Sequence, residues 1–112
     1  SRTGALQVIE VDPARKTWKE LLDVDLPGGP ALHWQPNPEH TEIMFNTVGD
    51  GSLHVLDTKT LERRRFTGGG RHSNMAFFEN FLVATDGIRG PTTLRVVDRA
   101  TGKVLSATPA RF

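Results

Sequence analysis

With 112 residues, 37% of them apolar, the chain is long enough for one domain with a packed core. Fourteen Lys and Arg stand against 13 Asp and Glu, so a net charge of +1 provides no electrostatic case for a nucleic acid or an anionic membrane as partner. The absence of cysteine excludes disulfide staples, thiolate catalysis and Cys-based zinc sites, and is equally compatible with cytoplasm and periplasm.

No apolar run reaches the roughly 18 residues of a membrane span, and the N-terminus lacks the charged-then-apolar layout of a signal peptide. What the chain has instead is a succession of short alternating runs, with no helical period of 3.6. They predict ten strands, at residues 5–12, 18–26, 31–35, 42–48, 52–58, 62–67, 73–79, 81–86, 92–98 and 103–108. Asp12-Pro13, Pro27-Gly28-Gly29-Pro30, Pro36-Asn37-Pro38, Gly49-Asp50-Gly51, Gly68-Gly69-Gly70, Asp86-Gly87 and Thr101-Gly102 separate them. These residue types supply fixed or positive φ for reversal. The chain is read as all-β.

One phrase recurs: Leu6-Gln7-Val8-Ile9-Glu10, Leu53-His54-Val55-Leu56-Asp57 and Leu94-Arg95-Val96-Val97-Asp98, with starts 47 and 41 residues apart. Strand repeats with periods of roughly 40 to 50 residues belong to β-propellers, in which each repeat is a four-stranded blade. With the phrase as third strand, residues 1–30 are the outer two strands of one blade. Residues 31–70 make a full blade and residues 71–112 another. The carboxylate ending each phrase, Glu10, Asp57 or Asp98, is expected to accept amide hydrogens of the following turn.

Propellers close with four to eight blades, so two and a half do not form a ring. The expectation is a partial propeller domain that belongs to a longer protein, a reading to which the start at Ser1 contributes. Copies of the chain, a partner chain or an open stacked array are the alternatives. In each case the apolar face of an outer blade needs a neighbour.

Residues 34–67, with Trp34-Gln35-Pro36-Asn37-Pro38, Ile43-Met44-Phe45, Gly51 and Leu53-His54-Val55-Leu56-Asp57-Thr58, resemble a blade of the TolB-type and WD-like propeller superfamily. Asn80-Phe81-Leu82-Val83-Ala84-Thr85-Asp86-Gly87, followed by residues 94–102, is similar. Members of that superfamily are scaffolds, ligand binders and enzymes alike, so the likeness implies a fold and not an activity. His33-Trp34-Gln35-Pro36-Asn37-Pro38 and Arg71-His72-Ser73-Asn74 further resemble blades of the oligogalacturonate-lyase family. That resemblance implies a divalent metal held by His and Gln side chains near a central channel.

His33 and His72 fall at equivalent places, each at the start of an innermost strand, with Gln35 and Asn74 two residues on. Innermost strands line the channel of a propeller, so equivalent positions converge there. Neutral imidazoles so placed can bind a divalent cation. Such a metal would neutralise a uronate carboxylate and acidify the adjacent C–H, with Arg71 as carboxylate clamp. The competing reading has these residues tying inner strands to loops by hydrogen bonds. Trp34, beside His33, is a ring-stacking candidate or a core residue.

His40 is read as a solvent residue, His54 as packed or hydrogen-bonded, and Arg63-Arg64-Arg65 as a solvated strand face. Gly68-Gly69-Gly70-Arg71 lacks the Gly-Lys-Ser/Thr ending of a phosphate loop and is read as a connector. No Gly-x-Ser-x-Gly elbow occurs. The leading function is a binding or interaction scaffold around His33, Trp34, Gln35, Arg71, His72 and Asn74. Its partners would be further blades, copies of itself or another chain. The alternatives are a metal-assisted lyase on acidic oligosaccharides and a propeller fragment whose one activity is self-assembly.

Overall fold

The computed structural model describes residues 4–47, 49–66, 72–86 and 92–110. Among them are ten strands and no helix: β1 (Ala5–Asp12), β2 (Thr17–Asp25), β3 (Ala31–Pro36), β4 (Glu42–Thr47), β5 (Leu53–Asp57), β6 (Arg63–Phe66), β7 (His72–Phe78), β8 (Phe81–Asp86), β9 (Thr92–Asp98) and β10 (Val104–Ala110). All pairings are antiparallel and join chain neighbours. A first sheet has order β1-β2, a middle sheet β3-β4-β5-β6, and a last sheet β7-β8-β9-β10.

The middle sheet is apolar on both faces because both are covered. Alternation along a strand sends Met44, Leu53 and Val55 to one side, where with Phe66 they pack against Leu82, Ala84 and Val97 of the last sheet. Phe45 and Leu56 point the other way and pack with Leu6 and Leu26 of the first sheet and its connector. Strands that are apolar throughout, such as β4 and β5, are therefore strands between two layers, whereas β2 is exposed along most of its length.

The three like hairpins close in one way. Asp57 Oδ1 accepts the amides of Lys59 and Thr60, both at 2.8 Å, and Asp98 Oδ1 accepts those of Ala100 and Thr101, both at 2.9 Å. In the first hairpin this part is taken by Asp12, whose Oδ1 accepts from Ala14 at 3.1 Å and Arg15 at 3.2 Å. Glu10 instead lies within β1, opposite Lys19. The structural repeat thus runs Asp12, Asp57, Asp98, and the first phrase is offset from it by two residues. Four residues after each aspartate comes a positive φ, at Lys16 (54°), Leu61 (65°) and Gly102 (76°).

Gly102 has a second constraint. A Cβ there would run into the ring of Phe66, which seals the contact between the middle and last sheets.

Candidate functional site

Three places bring polar or aromatic chemistry together. The first is the start of β3. A register shift between Leu32 and Gln35 interrupts the β3–β4 ladder, and His33 sits inside it with φ of 54°. A non-glycine residue in the left-handed region is strained by about 1 kcal/mol or more, and bulges of this kind re-aim side chains. Here the neighbouring indole of Trp34 stacks on Phe45, with ring centroids 4.3 Å apart and planes at 25°. Phe45 in turn lies parallel to the His54 imidazole, at 4.8 Å and 1°. The three rings run from solvent to interior: Trp34 is 47% exposed, and Phe45 and His54 are fully buried.

Of the residues singled out in the sequence, the structure therefore places His33, Trp34 and Gln35 on one exposed strand start. Arg71 and the side chains of His72 and Asn74 lie outside the described residues. β3 runs beside β7, the strand that carries His72 and Asn74. Among the described residues no group of three or more His, Asp or Glu side chains is gathered as a metal site would require.

The second place is buried. Thr47 Oγ1 donates to Asp50 Oδ1 at 2.5 Å, which leaves its lone pairs to face His54 Nε2 at 3.4 Å. A proton on Nε2 suits this contact, and Nδ1 has no hydrogen-bond partner among the described residues. Burial first, then the positive charges of Arg63 and Arg65, push the His54 pKa from 6.5 down to about 4, against the attraction of Asp50. Asp50 behaves oppositely. Burial raises its carboxyl, but hydrogen bonds from Thr47, the amide and hydroxyl of Ser52, and Arg65 outweigh this and hold it well below the usual carboxylate range.

The third place was not legible in the sequence. Glu42, at the start of β4, accepts from Arg64 Nη2 at 2.8 Å and from Arg99 Nε at 2.5 Å. Arg99 belongs to the last sheet, so one carboxylate ties two sheets together. Arg64 Nη1 also reaches the Arg99 carbonyl at 2.7 Å, and the Arg99 guanidinium lies 4.9 Å from the centroid of the Phe77 ring. Glu42, Arg64, Asn80, Asp98, Arg99 and Ala100 line an open cleft of about 520 Å³. The Arg63-Arg64-Arg65 run keeps solvent exposure, as a solvated face would, but each guanidinium also has an acceptor. Arg63 reaches the Asp25 carbonyl, Arg64 the Glu42 carboxylate and Arg65 that of Asp50.

Removing the shared carboxylate leaves two partly buried cations without their counter-charge. Glu42→Gln is expected to lower stability by about 1–2 kcal/mol, toward the low end of such losses because both arginines keep some solvent. Urea unfolding at low and high salt checks this: the deficit should shrink as salt screens the pair.

Comparison with known protein families yields no match to the chain, and comparison with curated proteins yields none either.

Proposed function

We propose that the chain is a β-propeller-type interaction scaffold in which the three sheets are successive blades and the first is the outer half of one. Repetition supports the reading. Each full sheet is an antiparallel four-stranded meander, the aspartate hairpins recur at 45- and 41-residue intervals, and the middle sheet buries both faces against its neighbours.

The observation that carries the binding role is Trp34. Its counterpart in the last sheet, Met75, is packed onto the core with the middle sheet, whereas Trp34 is half-exposed above Phe45. Phe45 packs with Leu6 of β1, and β1 is hydrogen-bonded only to β2 among the described residues. Its counterparts β5 and β9 are paired on both edges. An open strand edge and a half-exposed indole, linked through Phe45, suit an extended segment. Main-chain hydrogen bonds to β1 would supply affinity, and an apolar side chain on the Trp34 ring would supply selectivity.

The test is a nuclear magnetic resonance titration of the labelled chain with an extended peptide of alternating valine and tyrosine. Shifts in β1 and β3 and perturbation of the Trp34 indole are expected. Trp34→Ala should weaken binding by about tenfold or more, as loss of an aromatic anchor does, while leaving the strand spectrum unchanged. Peptide shifts confined to other strands would count against the reading. An unsaturated uronate product from oligogalacturonate with a divalent cation would favour the lyase instead.

A further inference from the structure

We propose that this chain associates with a second copy of itself head to tail, the outward face of the last sheet docking on the outward face of the first. The proposal rests on reading the sheets as repeats of one unit, and it names the partner of their two uncovered faces.

Aligning the hairpin aspartates makes the correspondence residue by residue. Glu42 pairs with Asp57 and Phe81 with Asp98, so β8 and β9 superimpose in register on β4 and β5. Val83, Leu94 and Val96 then hold the positions of Met44, Leu53 and Val55, the residues with which the middle sheet receives the last. These three are only partly buried, because alternation turns them away from Leu82, Ala84 and Val97. At the other end, Ile9 and Val11 hold the positions of His54 and Leu56, with which the middle sheet packs on the first. Ile9 is 48%, Val11 64% and the cross-strand neighbour Trp18 70% exposed. Ile9, Val11 and Trp18 line a shallow apolar groove with Lys16 and Thr17.

The two open faces are thus the two halves of a contact that the chain already makes twice within itself. One substitution pattern ties them to each other. At the contact between middle and last sheets, Glu42 on one side meets Arg99 on the other. The position equivalent to Glu42 on the last sheet is Phe81, and the position equivalent to Arg99, following the hairpin aspartate of the first, is Pro13. Both members of the ion pair are replaced by apolar residues. A contact pairing these two faces lacks both members of that pair, whereas the last sheet's outward face against a surface carrying Arg99, or the first sheet's against one carrying Glu42, would strand that charge. Such an interface is heterologous, so it propagates into rings or filaments unless one face is blocked.

Light scattering on the purified chain should give a mass above that of one chain and rising with concentration. Val11→Asp blocks one face and Val96→Asp the other, so each variant alone should be monomeric, and an equimolar mixture should form a dimer and stop there. Circular dichroism checks that both variants keep their strands. Because the chain has no cysteine, a second measurement is independent of those variants. Val11→Cys and Val96→Cys chains should form a disulfide-linked dimer when mixed under oxidation, and Val11→Cys alone should not. A monomeric parent chain, association of Val11→Asp with itself, or a mixture that stays monomeric would overturn the proposal. Association is read by mass, and peptide binding by perturbation of the Trp34 indole, so failure here and failure of the scaffold reading are distinguishable.

Discussion

Gly102→Val is expected to destabilise the chain by about 2–5 kcal/mol, with a fall in Tm of at least about 8 °C. Two effects add. Gly102 has φ of 76°, a region that costs an L side chain about 1–2 kcal/mol. The larger effect is steric, since the new Cβ and its methyls must displace the ring of Phe66 from the seam between middle and last sheets, an overpacking worth about 1–3 kcal/mol. Lys16 and Leu61 occupy the same hairpin position at positive φ, so backbone conformation alone does not demand glycine. Thermal unfolding separates the terms: Gly102→Ala should cost less in a Phe66→Leu background than in the parent. Equal costs in both would assign the whole effect to the backbone.

Acid should destabilise the chain through His54 as pH falls from 6.5 toward 4. His54 is neutral and unexposed in the folded state, with a pKa near 4, against about 6.5 when unfolded. Above pH 6.5 the imidazole is neutral in both states and contributes no pH dependence. As pH falls from 6.5 to 4 the unfolded chain takes up a proton that the folded chain does not, so stability declines, by an amount on the order of 3 kcal/mol at its limit. Below pH 4 the folded chain is protonated too and this contribution levels off. Asp50 is the reverse case: its folded pKa is depressed, so its stabilisation is present above the unfolded value of 3.8 and is lost only below it. The two windows do not overlap. Urea unfolding across pH 4–7 should therefore show a slope that His54→Phe flattens. Phenylalanine keeps a ring on Phe45 and removes both the titrating group and the unpartnered Nδ1. A slope unchanged in that variant would place the acid sensitivity elsewhere.

The ten strands were legible because the chain alternates at period two and marks nearly every reversal with Gly, Pro, Asn or Asp. Three of the observed strands, β1, β8 and β9, have the expected bounds, and the others differ by one or two residues at their ends. The hairpin aspartates were legible twice out of three times, and the miss is instructive. Shifting the first phrase by two residues leaves every side chain on its original face, so the apolar pattern could not separate Glu10 from Asp12. Only the turn amides could. At the candidate site, Trp34 and its neighbours stood out as an aromatic in a polar strand start, but its stack on Phe45, and that of Phe45 on His54, follows from the strand register that sets Gln35 opposite Met44. The Glu42 cluster joins residues 57 apart in the chain, and no local pattern encodes a partner at that distance. Residues of this sort become visible only when two sheets are set face to face.

A layer held between two others cannot come loose until one of them has left. The first sheet has two strands against four in the others, so its lifting from the middle sheet is the expected first step of opening. Once it lifts, the surface laid bare carries Phe45, Leu56 and the sheltered imidazole of His54. Water then reaches a nitrogen kept from it in the native fold. Below pH 6.5 an imidazole exposed in this way takes up a proton, which disfavours its return to the buried site.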